Sequence, residues 1–271
     1  MPVSSNTTLL IVVPTLNSFS ILPRLVCSLQ EQTWPFWNLL FVDGPSTFEH
    51  RCWLENTCNS DPRFSWVSQD PAVPGIYAAM NQGFILGSSY DWILFWGSDD
   101  WAASPSALED ILSDHIETSS LIVSRGRYSN AMTGRLGRCS SFYHSASFDS
   151  AAFRFLLRAG RTPPHQATLI GRLARKHLSH YCTSYRLSAD LDYFLSLSRF
   201  PGLTITCLDV VLVHMGDAGV SGKETRLRLS EVKRAYRSAF SFCWPLSYAL
   251  RYVYRFLALL NSFSHHFLSH K

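Results

Sequence analysis

Apolar runs alternate with amphipathic stretches through the first hundred residues of the chain. Leu9 to Val13 is a continuous apolar run ended by Pro14, the pattern of a strand that is buried on both faces. From Ile21 to Gln32 the apolar residues recur at helical spacing, and Trp34-Pro35 closes the stretch. A buried strand followed by an amphipathic helix predicts a βα unit.

The same alternation continues along the chain. The further strands predicted in the first half are Leu39–Val42, Phe64–Val67 and Trp92–Trp96, and the helices are Phe48–Cys58, Gly75–Gly87 and Ser104–Ile116. In the second half we expect strands at Leu121–Val123 and Leu203–Val213, helices at Phe148–Ala159 and Leu169–Tyr181, and a loop at Gly216–Lys223. Alternating strands and helices predict an α/β fold with a doubly wound, mostly parallel sheet flanked by helices.

Composition narrows the class of protein. The 271 residues are 46% hydrophobic and 16% charged, which excludes a disordered chain, and the net charge of +4 is too small to favour nucleic acid as a partner. Seven scattered cysteines without a C-x-x-C pair indicate neither a zinc site nor a disulfide framework, so we expect a reduced, cytoplasmic location. The sequence shows no signal-peptide pattern and no apolar stretch of about 20 residues, the length that crosses a bilayer.

Polar residues follow the predicted strands at their carboxyl ends, where open α/β sheets bind ligands. These residues are Thr15, Asn17, Asp43, Asp70, Asp99 and Asp100. Two adjacent carboxylates after a buried strand are suited to Mg²⁺ or Mn²⁺, because hard cations take carboxylate oxygens together with substrate phosphates. The alternative for Asp99-Asp100 is a cap of the following helix. Asp43-Gly44 could equally be a plain turn, and Thr15 or Asn17 could cap the helix that starts near Ser20.

Five ordered segments over about 90 residues resemble the family 2 glycosyltransferases of GT-A fold. They are Val13–Ser18, Ser28–Trp34, Phe41–Thr47, Gly75–Gly83 and Gly97–Trp101. The resemblance implies that the Pro14-Thr15-Leu16-Asn17 strand end and the turn at Asp43 hold a nucleoside, and that Asn81 borders the donor. It also implies that Ser98 and Asp99 contact a sugar nucleotide and that Asp100 binds the metal.

Two positions depart from the family pattern. The family often carries an acid between the third strand and the following helix, which Asp70 would match, but the segment from Asp70 to Pro74 is longer than usual. Ala78 stands where many relatives have Asp. The alternative for Asn81 is a hydrogen bond within its own helix.

The second half resembles the family more weakly. Pro164–Ala167, which contains His165 and Gln166, is similar to an H-Q element facing the cleft, and Ser188–Tyr193 is similar to an A-D-x-D element that opens a helix on the acceptor side. The resemblance implies that Asp190 is the general base and Asp192 the second choice. Both acids could instead stabilise the first helical turn, and His165 could be a buried, satisfied histidine.

His214 ends the last predicted strand, before a loop that contains Gly219 and Ser221. In some GT-A enzymes a histidine from this region completes the metal shell, so His214 is a candidate ligand, and the loop could close over the diphosphate. A histidine at a strand end could equally be a core or surface residue.

The C-terminal tail mixes basic and aromatic residues. The basic residues of this segment include Arg226, Arg228, Lys233, Arg234, Arg237, Arg251 and Arg255, and the large apolar ones include Phe240, Phe242, Trp244, Tyr248, Tyr252, Tyr254, Phe256, Leu257 and Leu260. Such a helix could lie on a membrane surface or dock on the core with a solvated basic face. Membrane contact would suit a lipid-linked acceptor.

With the carboxylate pair, the resemblance implies a metal-dependent, inverting glycosyltransferase. It would transfer a sugar from a nucleoside-diphosphate sugar, with UDP as the expected nucleotide, to a saccharide or lipid-linked hydroxyl in cell-surface polysaccharide synthesis. We expect residues 1–222 to form the GT-A domain, with a donor half at 1–118 and an acceptor half at 119–222, and 223–271 to form a helical tail. The alternatives are a catalytically silent carbohydrate- or nucleotide-binding module and a sugar-nucleotide nucleotidyltransferase.

Overall fold

The computed structural model describes residues 7–113, 118–130, 135–140, 142–216 and 224–268. The strands are β1 Leu9–Thr15, β2 Trp37–Asp43, β3 Phe64–Ser68, β4 Trp92–Phe95, β5 Trp101–Ala102, β6 Leu121–Ser129, β7 Leu136–Ser140, β8 Ala146–Asp149, β9 Thr168–Gly171 and β10 Thr204–Gly216. The helices are α1 Leu22–Gln30, α2 Phe48–Ser60, α3 Ile76–Leu86, α4 Glu109–Leu112, α5 Ser150–Arg158, α6 Arg172–His177, α7 Ala189–Leu197, α8 Thr225–Phe240 and α9 Trp244–Leu268.

One mixed sheet runs through the molecule in the order β3-β2-β1-β4-β9-β6-β10-β5, with β7 on β6 and β8 on β10. The four strands of the first half pair parallel, as predicted. Beyond β4 the sheet is no longer mostly parallel, because β9 runs antiparallel to both β4 and β6. Helices cover both faces and bury two apolar clusters, one on each side of the sheet.

Three predicted helices have different bounds. The run from Leu169 to Tyr181 is not one helix, because its apolar start forms β9 inside the sheet and α6 begins at Arg172. Helix α5 begins at Ser150, where Asp149 caps it by accepting from the Ala152 amide. In place of the helix predicted at Ser104–Ile116, α4 comprises four residues, and 114–117 lie outside the described residues.

The C-terminal tail is helical and its first helix packs on the core. Val232, Ala235 and Tyr236 of α8 are buried in the same apolar cluster as α7. Helix α9 continues from α8 after a short turn at Ser241–Cys243. None of the helices in the described ranges combines the length and apolar character that would let it cross a membrane. The division of the chain at residue 222 stays a prediction.

Candidate active site

The predicted site residues converge on one edge of the sheet. Strands β2, β1 and β4 are parallel neighbours, so Asp43, Thr15 and the Gly97–Asp100 segment follow adjacent carboxyl ends. Strand β9 is antiparallel to β4, which brings His165 and Gln166, just before β9, to the same edge. The end of β10 reaches it as well, since the Gly216 amide donates to the Asp100 carboxylate.

Asp43 is the centre of a buried hydrogen-bond network at this edge. It is 1% exposed, and its Oδ1 accepts from Thr15 Oγ1 at 2.9 Å and from Ser46 Oγ at 2.7 Å. Nε2 of the fully buried His50 lies 3.0 Å from the same oxygen. Asp43 therefore does more than form a turn, because its carboxylate connects the end of β1, the loop after β2 and helix α2.

Asn17 connects the ends of β1 and β2. Its side-chain oxygen accepts from the Thr47 backbone N–H at 2.8 Å, and its backbone N–H donates to Ser46 Oγ at 2.9 Å. It has a positive φ of 51°, a conformation that asparagine tolerates better than most residues. The proposed capping of α1 by Thr15 or Asn17 is wrong, because Ile21 occupies the N-cap position without a side-chain hydrogen bond.

Asp100 is a buried carboxylate beside a second carboxylate. It is 2% exposed and accepts from the amides of Gly97 at 2.6 Å and Gly216 at 3.2 Å. Burial, reinforced by the charge of Asp99, raises the pKa of Asp100 to about 8. The pair does not cap the following helix, since α4 starts at Glu109 with Leu108 at its N-cap.

A divalent cation fits this arrangement. It would place a positive charge beside the buried Asp100 carboxylate, and hard cations are commonly held by one or two carboxylates together with substrate phosphates. Within the described residues, no three His, Cys, Asp or Glu side chains gather in a metal-binding group. Asp100 and Asp99 are the residues that would hold the ion.

His214 contacts the aromatic ring of Trp101. It pairs with Trp101 across β10 and β5, with ring centroids 5.4 Å apart, and the guanidinium of Arg24 lies 3.3 Å from the centroid of the Trp101 ring. Burial, followed by the charges of Arg127 and Arg24, lowers the pKa of His214. The neutral imidazole remains chemically able to ligate, and its role as a metal ligand stays a prediction. Gly219 and Ser221 lie outside the described residues.

Backbone groups hold the end of β4 in place. Ser98 Oγ donates to the Pro14 carbonyl at 3.0 Å, and the Trp96 indole donates to the Gln166 carbonyl at 2.9 Å. Ser98 therefore joins β4 to β1, and Gln166 joins it to the segment before β9. Their predicted substrate contacts stay predictions.

Asp190 belongs to a cluster assembled from four segments, which we call the Asp190 cluster: Tyr77, His165, Tyr181 and Asp190. Tyr77 Oη donates to Asp190 Oδ1 at 3.3 Å, and His165 Nε2 lies 2.8 Å from Tyr181 Oη. The Tyr77 and Tyr181 rings lie 5.5 Å apart. Burial lowers the pKa of His165, with Asp190 acting in the opposite direction, and burial followed by Asp190 raises that of Tyr77.

His165 is buried, which matches the alternative interpretation of a buried, satisfied histidine; its predicted contact with substrate stays a prediction. It is 9% exposed and stacks on Phe95 of β4 with centroids 5.8 Å apart. Because Phe95 lies shortly before Asp99 and Asp100, this stack connects the Asp190 cluster with the carboxylate pair.

Asp192 lies on another side of α7, as two residues along a helix are about 200° apart. It interacts with Tyr185, Arg199 and Arg234, and burial raises its pKa against these partners. Both acids are in the first turn of α7, as the alternative interpretation required. Of the two, Asp190 is the one that contacts the rest of the cluster.

Asn81 and Asp70 have structural roles of different range, since Asn81 makes a long-range contact and Asp70 a local one. The Asn81 amide donates to the Tyr181 carbonyl at 2.9 Å and accepts from the Tyr181 backbone N–H at 2.6 Å, so it holds a residue of the Asp190 cluster and does not bond within its helix. Exposed Asp70 closes a turn by accepting from Ala72. Direct donor contacts of either residue stay predictions.

Sequence reasoning missed four residues of this region: His50, Tyr77, Tyr181 and Glu231. Glu231 of α8 is 5% exposed and accepts from the amides of Arg186 at 2.7 Å and Leu187 at 2.8 Å, directly before α7. Tyr77 lies within the Gly75–Gly83 segment that carried part of the resemblance. Tyr181 and Glu231 have no local sequence signal, because their partners are distant in sequence. His50 bonds nearby Asp43, but a single histidine within a helix carries no distinctive pattern.

Comparison with known proteins agrees with this geometry. Residues 10–190 match the model of the family described as glycosyl transferase family 2. The chain belongs to glycosyltransferase family 2. It is 27% identical over 212 residues to PGL/p-HBAD biosynthesis glycosyltransferases of Mycobacterium bovis and Mycobacterium tuberculosis, a match that covers 77% of this chain and 77% of each relative.

Solved structures share the fold of this family 2 enzyme. S. aureus TarS 1-349 aligns with a TM-score of 0.64 and 17% identity, covering 86% of this chain and 66% of TarS 1-349, so the chain spans just under two thirds of that protein's length. Glucosyl-3-phosphoglycerate synthase from Mycobacterium tuberculosis, solved with Mn²⁺, UDP and glucosyl-3-phosphoglycerate, aligns with a TM-score of 0.57 and 14% identity over 86% of this chain and 80% of its own. At these identities the likeness establishes the fold.

Proposed function

We propose that this glycosyltransferase moves a sugar, with inversion at the anomeric carbon, from a nucleoside-diphosphate sugar to a hydroxyl acceptor. The observation that carries the proposal is the convergence on one sheet edge of the Asp190 cluster and a carboxylate pair, half-buried Asp99 and buried Asp100. Structural neighbours support the donor class, since TarS has been solved with UDP-GlcNAc and the M. tuberculosis synthase with UDP and Mn²⁺.

The hydrogen-bonded residues at the ends of β1 and β2 form the proposed binding surface for the nucleoside of the donor. Thr15, Asn17 and Asp43 form a braced loop surface through hydrogen bonds that are already made in the free protein. A surface fixed in this way binds a nucleoside without the entropic cost of ordering its loops. We assign these residues, with Pro14 and Ser98, to the donor side of the site.

Asp190 is the proposed general base. As the acceptor oxygen attacks the anomeric carbon, Asp190 takes the hydroxyl proton, a new C–O bond forms and the bond to the diphosphate oxygen breaks with its electron pair on the diphosphate. Tyr77, which donates to Asp190, orients the carboxylate. Burial lowers the pKa of His165 and so favours its neutral form, which leaves Asp190 as the charged side chain of the cluster.

Asp100, with Asp99, would hold Mn²⁺ or Mg²⁺. When bound, the cation would offset the negative charge that develops on the leaving diphosphate. Without a cation the buried Asp100 carboxyl favours its protonated form, since its pKa is raised to about 8. The chemistry of these two side chains thus favours a metal-dependent enzyme.

Calorimetry with UDP or GDP and Mn²⁺ tests the donor and metal assignment. Asp100→Asn keeps the shape of the side chain and should weaken Mn²⁺-dependent nucleotide binding about 100-fold or more, since even loss of a residue that only supports a ligand costs about 10- to 100-fold. Asp110→Asn, on the exposed surface of α4, is the matched control and should bind as the wild type does. Equal affinity in all three proteins, or no binding of either nucleotide, would contradict the assignment.

The acceptor is proposed more broadly as a saccharide or lipid-linked hydroxyl of cell-surface polysaccharide synthesis. The M. bovis and M. tuberculosis relatives are named for PGL/p-HBAD biosynthesis, which supports a glycoconjugate acceptor without defining it. We propose that the enzyme works in the cytoplasm, with its C-terminal tail in contact with the membrane surface. A screen for nucleotide-sugar hydrolysis would identify the donor before any acceptor is known.

A further inference from the structure

Helix α9 has its polar and apolar faces in unusual positions. Ser247 and Arg251, one turn apart, are 0% and 6% exposed. Leu246 and Val253, which share the opposite face at helical spacing, are 61% and 53% exposed. A helix docked on a soluble core ordinarily buries its leucines and exposes its arginines, so these four positions of α9 show the reverse arrangement, while Trp244 and Tyr248 pack on the core.

The buried face of α9 is fixed by specific contacts. Gly160, with φ of +85°, lies so close that a Cβ at this position would overlap the backbone of Arg251. The Arg251 guanidinium donates to Thr162 Oγ1 and lies 6.0 Å from the centroid of the Tyr236 ring. These contacts determine which face of α9 is turned outward.

Other large apolar side chains extend the exposed face of α9. Phe242, in the turn before α9, is 95% exposed, and Phe155 of α5 is 69% exposed. Between them lies a cavity of about 470 Å³ whose lining includes Arg154, Arg158, Phe155, Ser241 and Cys243. We call the exposed side chains Phe155, Phe242, Leu246, Leu250, Val253 and Phe256 the outer face.

The charged residues of the chain that follow Glu231 are all basic. After Glu231 the sequence contains no Asp or Glu, whereas Lys233, Arg237 and Arg255 follow it. Lys233 and Arg237 stack on Trp244 at the start of α9, 5.4 Å and 5.7 Å from the ring centroid. Two copies of such a surface would repel each other, while a negatively charged surface would attract it.

We propose that the outer face docks on an anionic phospholipid bilayer, with its apolar side chains in the headgroup boundary and the surrounding arginines and lysines on lipid phosphates. An exposed apolar stripe with a basic border is the pattern of helices that lie in the membrane interface. The proposal deepens the membrane contact included in the proposed function. Vesicle binding is measured without glycosyl transfer, so a failure of the membrane proposal can be distinguished from a failure of the proposed glycosyltransferase function.

Cosedimentation of the full chain with vesicles tests the proposal. The wild type should bind vesicles of equal parts phosphatidylglycerol and phosphatidylcholine, and bind pure phosphatidylcholine vesicles less. The double variant Phe242→Glu/Val253→Glu should bind at least about tenfold more weakly, because each change places a charge where an apolar side chain would be buried. Lys233→Gln or Arg237→Gln should each weaken binding to the anionic vesicles about fivefold.

Ile85→Glu is the matched control, because Ile85 is 74% exposed on α3, outside the outer face. It should bind vesicles as the wild type does, and all variants should bind nucleotide unchanged, which shows that they are folded. A wild type that stays in the supernatant, or an Ile85→Glu variant that loses as much binding as the double variant, would overturn the proposal. So would a wild-type dimer in sedimentation equilibrium that Val253→Glu dissociates, since it would identify a second copy of the chain as the occupant.

Discussion

Two regions of the candidate site are built in different ways. The strand-end edge, formed by Thr15, Asn17, Asp43 and the carboxylate pair, follows three adjacent parallel strands, and its partners lie mostly within the first half of the chain. The Asp190 cluster draws its side chains from α3, the segment before β9, the segment after α6, and α7. The strand-end edge therefore depends mainly on neighbouring strands and loops, whereas the Asp190 cluster forms only when distant segments of the chain have folded together.

This difference separates donor binding from transfer. The strand-end edge rests on loops that β1, β2 and α2 brace together. The Asp190 cluster depends in addition on α8, since Glu231 holds the backbone directly before α7. We therefore expect perturbations of the second half to reduce transfer while leaving nucleotide binding intact.

The largest effect is expected from Asp190→Asn. General base catalysis contributes about 10²- to 10⁴-fold, so kcat should fall by that factor while the Kd for the donor nucleotide stays the same. Steady-state kinetics and calorimetry on the same preparation measure the two quantities.

Asp192→Asn is the matched control on the same helical turn. Because Asp192 contacts Tyr185 and Arg234 rather than the cluster, this variant should lose less than about tenfold in kcat. If Asp192→Asn were the more damaging change, the base would have to be reassigned.

The difference between the regions also explains what the sequence could predict. The apolar runs of β1, β2 and β4 and the helices between them are encoded locally, so the parallel pairing of the first half was predicted correctly, and with it the position of Thr15, Asp43 and Asp100 at the strand ends. The roles of these residues stay predictions. Local sequence pattern failed to predict structure where a residue's partners are remote in sequence. Leu169-Ile170 is an apolar pair that suits a helix or a strand, and it forms a strand because it pairs with β4 on one side and β6 on the other. For the same reason the bonds of Asn81 to Tyr181, which is 100 residues away, had no signal in the sequence.

Gly160→Ala tests whether the packing of α9 affects stability without affecting nucleotide binding. Its φ of +85° disfavours a side chain, and the added Cβ would meet the Arg251 backbone, which cannot move without displacing α9. We expect the free energy of unfolding to fall by about 2–5 kcal/mol, combining backbone strain with overpacking. Denaturant unfolding measures the change, and nucleotide binding by the folded fraction should persist.

Gly202→Ala is the control for backbone strain alone. Gly202 has φ of +77° but no atom within 4 Å of its added Cβ, so the loss should be about 1–2 kcal/mol. Equal losses in both variants would show that the contact of Gly160 with α9 contributes nothing to stability.

A smaller effect is expected from Glu231→Gln, which tests whether α8 positions the catalytic helix. A carboxylate accepts from both Arg186 and Leu187 amides, whereas an amide side chain presents one oxygen and turns an N–H toward the other donor. The unfolding free energy should fall by about 1–3 kcal/mol, and kcat should fall with no change in nucleotide Kd. Glu224→Gln removes a surface ion pair with Arg186, 2.9 Å between charged atoms, and should cost less than about 1 kcal/mol. If Glu231→Gln changed stability but left kcat at the wild-type value, Glu231 would support the fold without positioning Asp190, and the dependence of transfer on the tail would have to be abandoned.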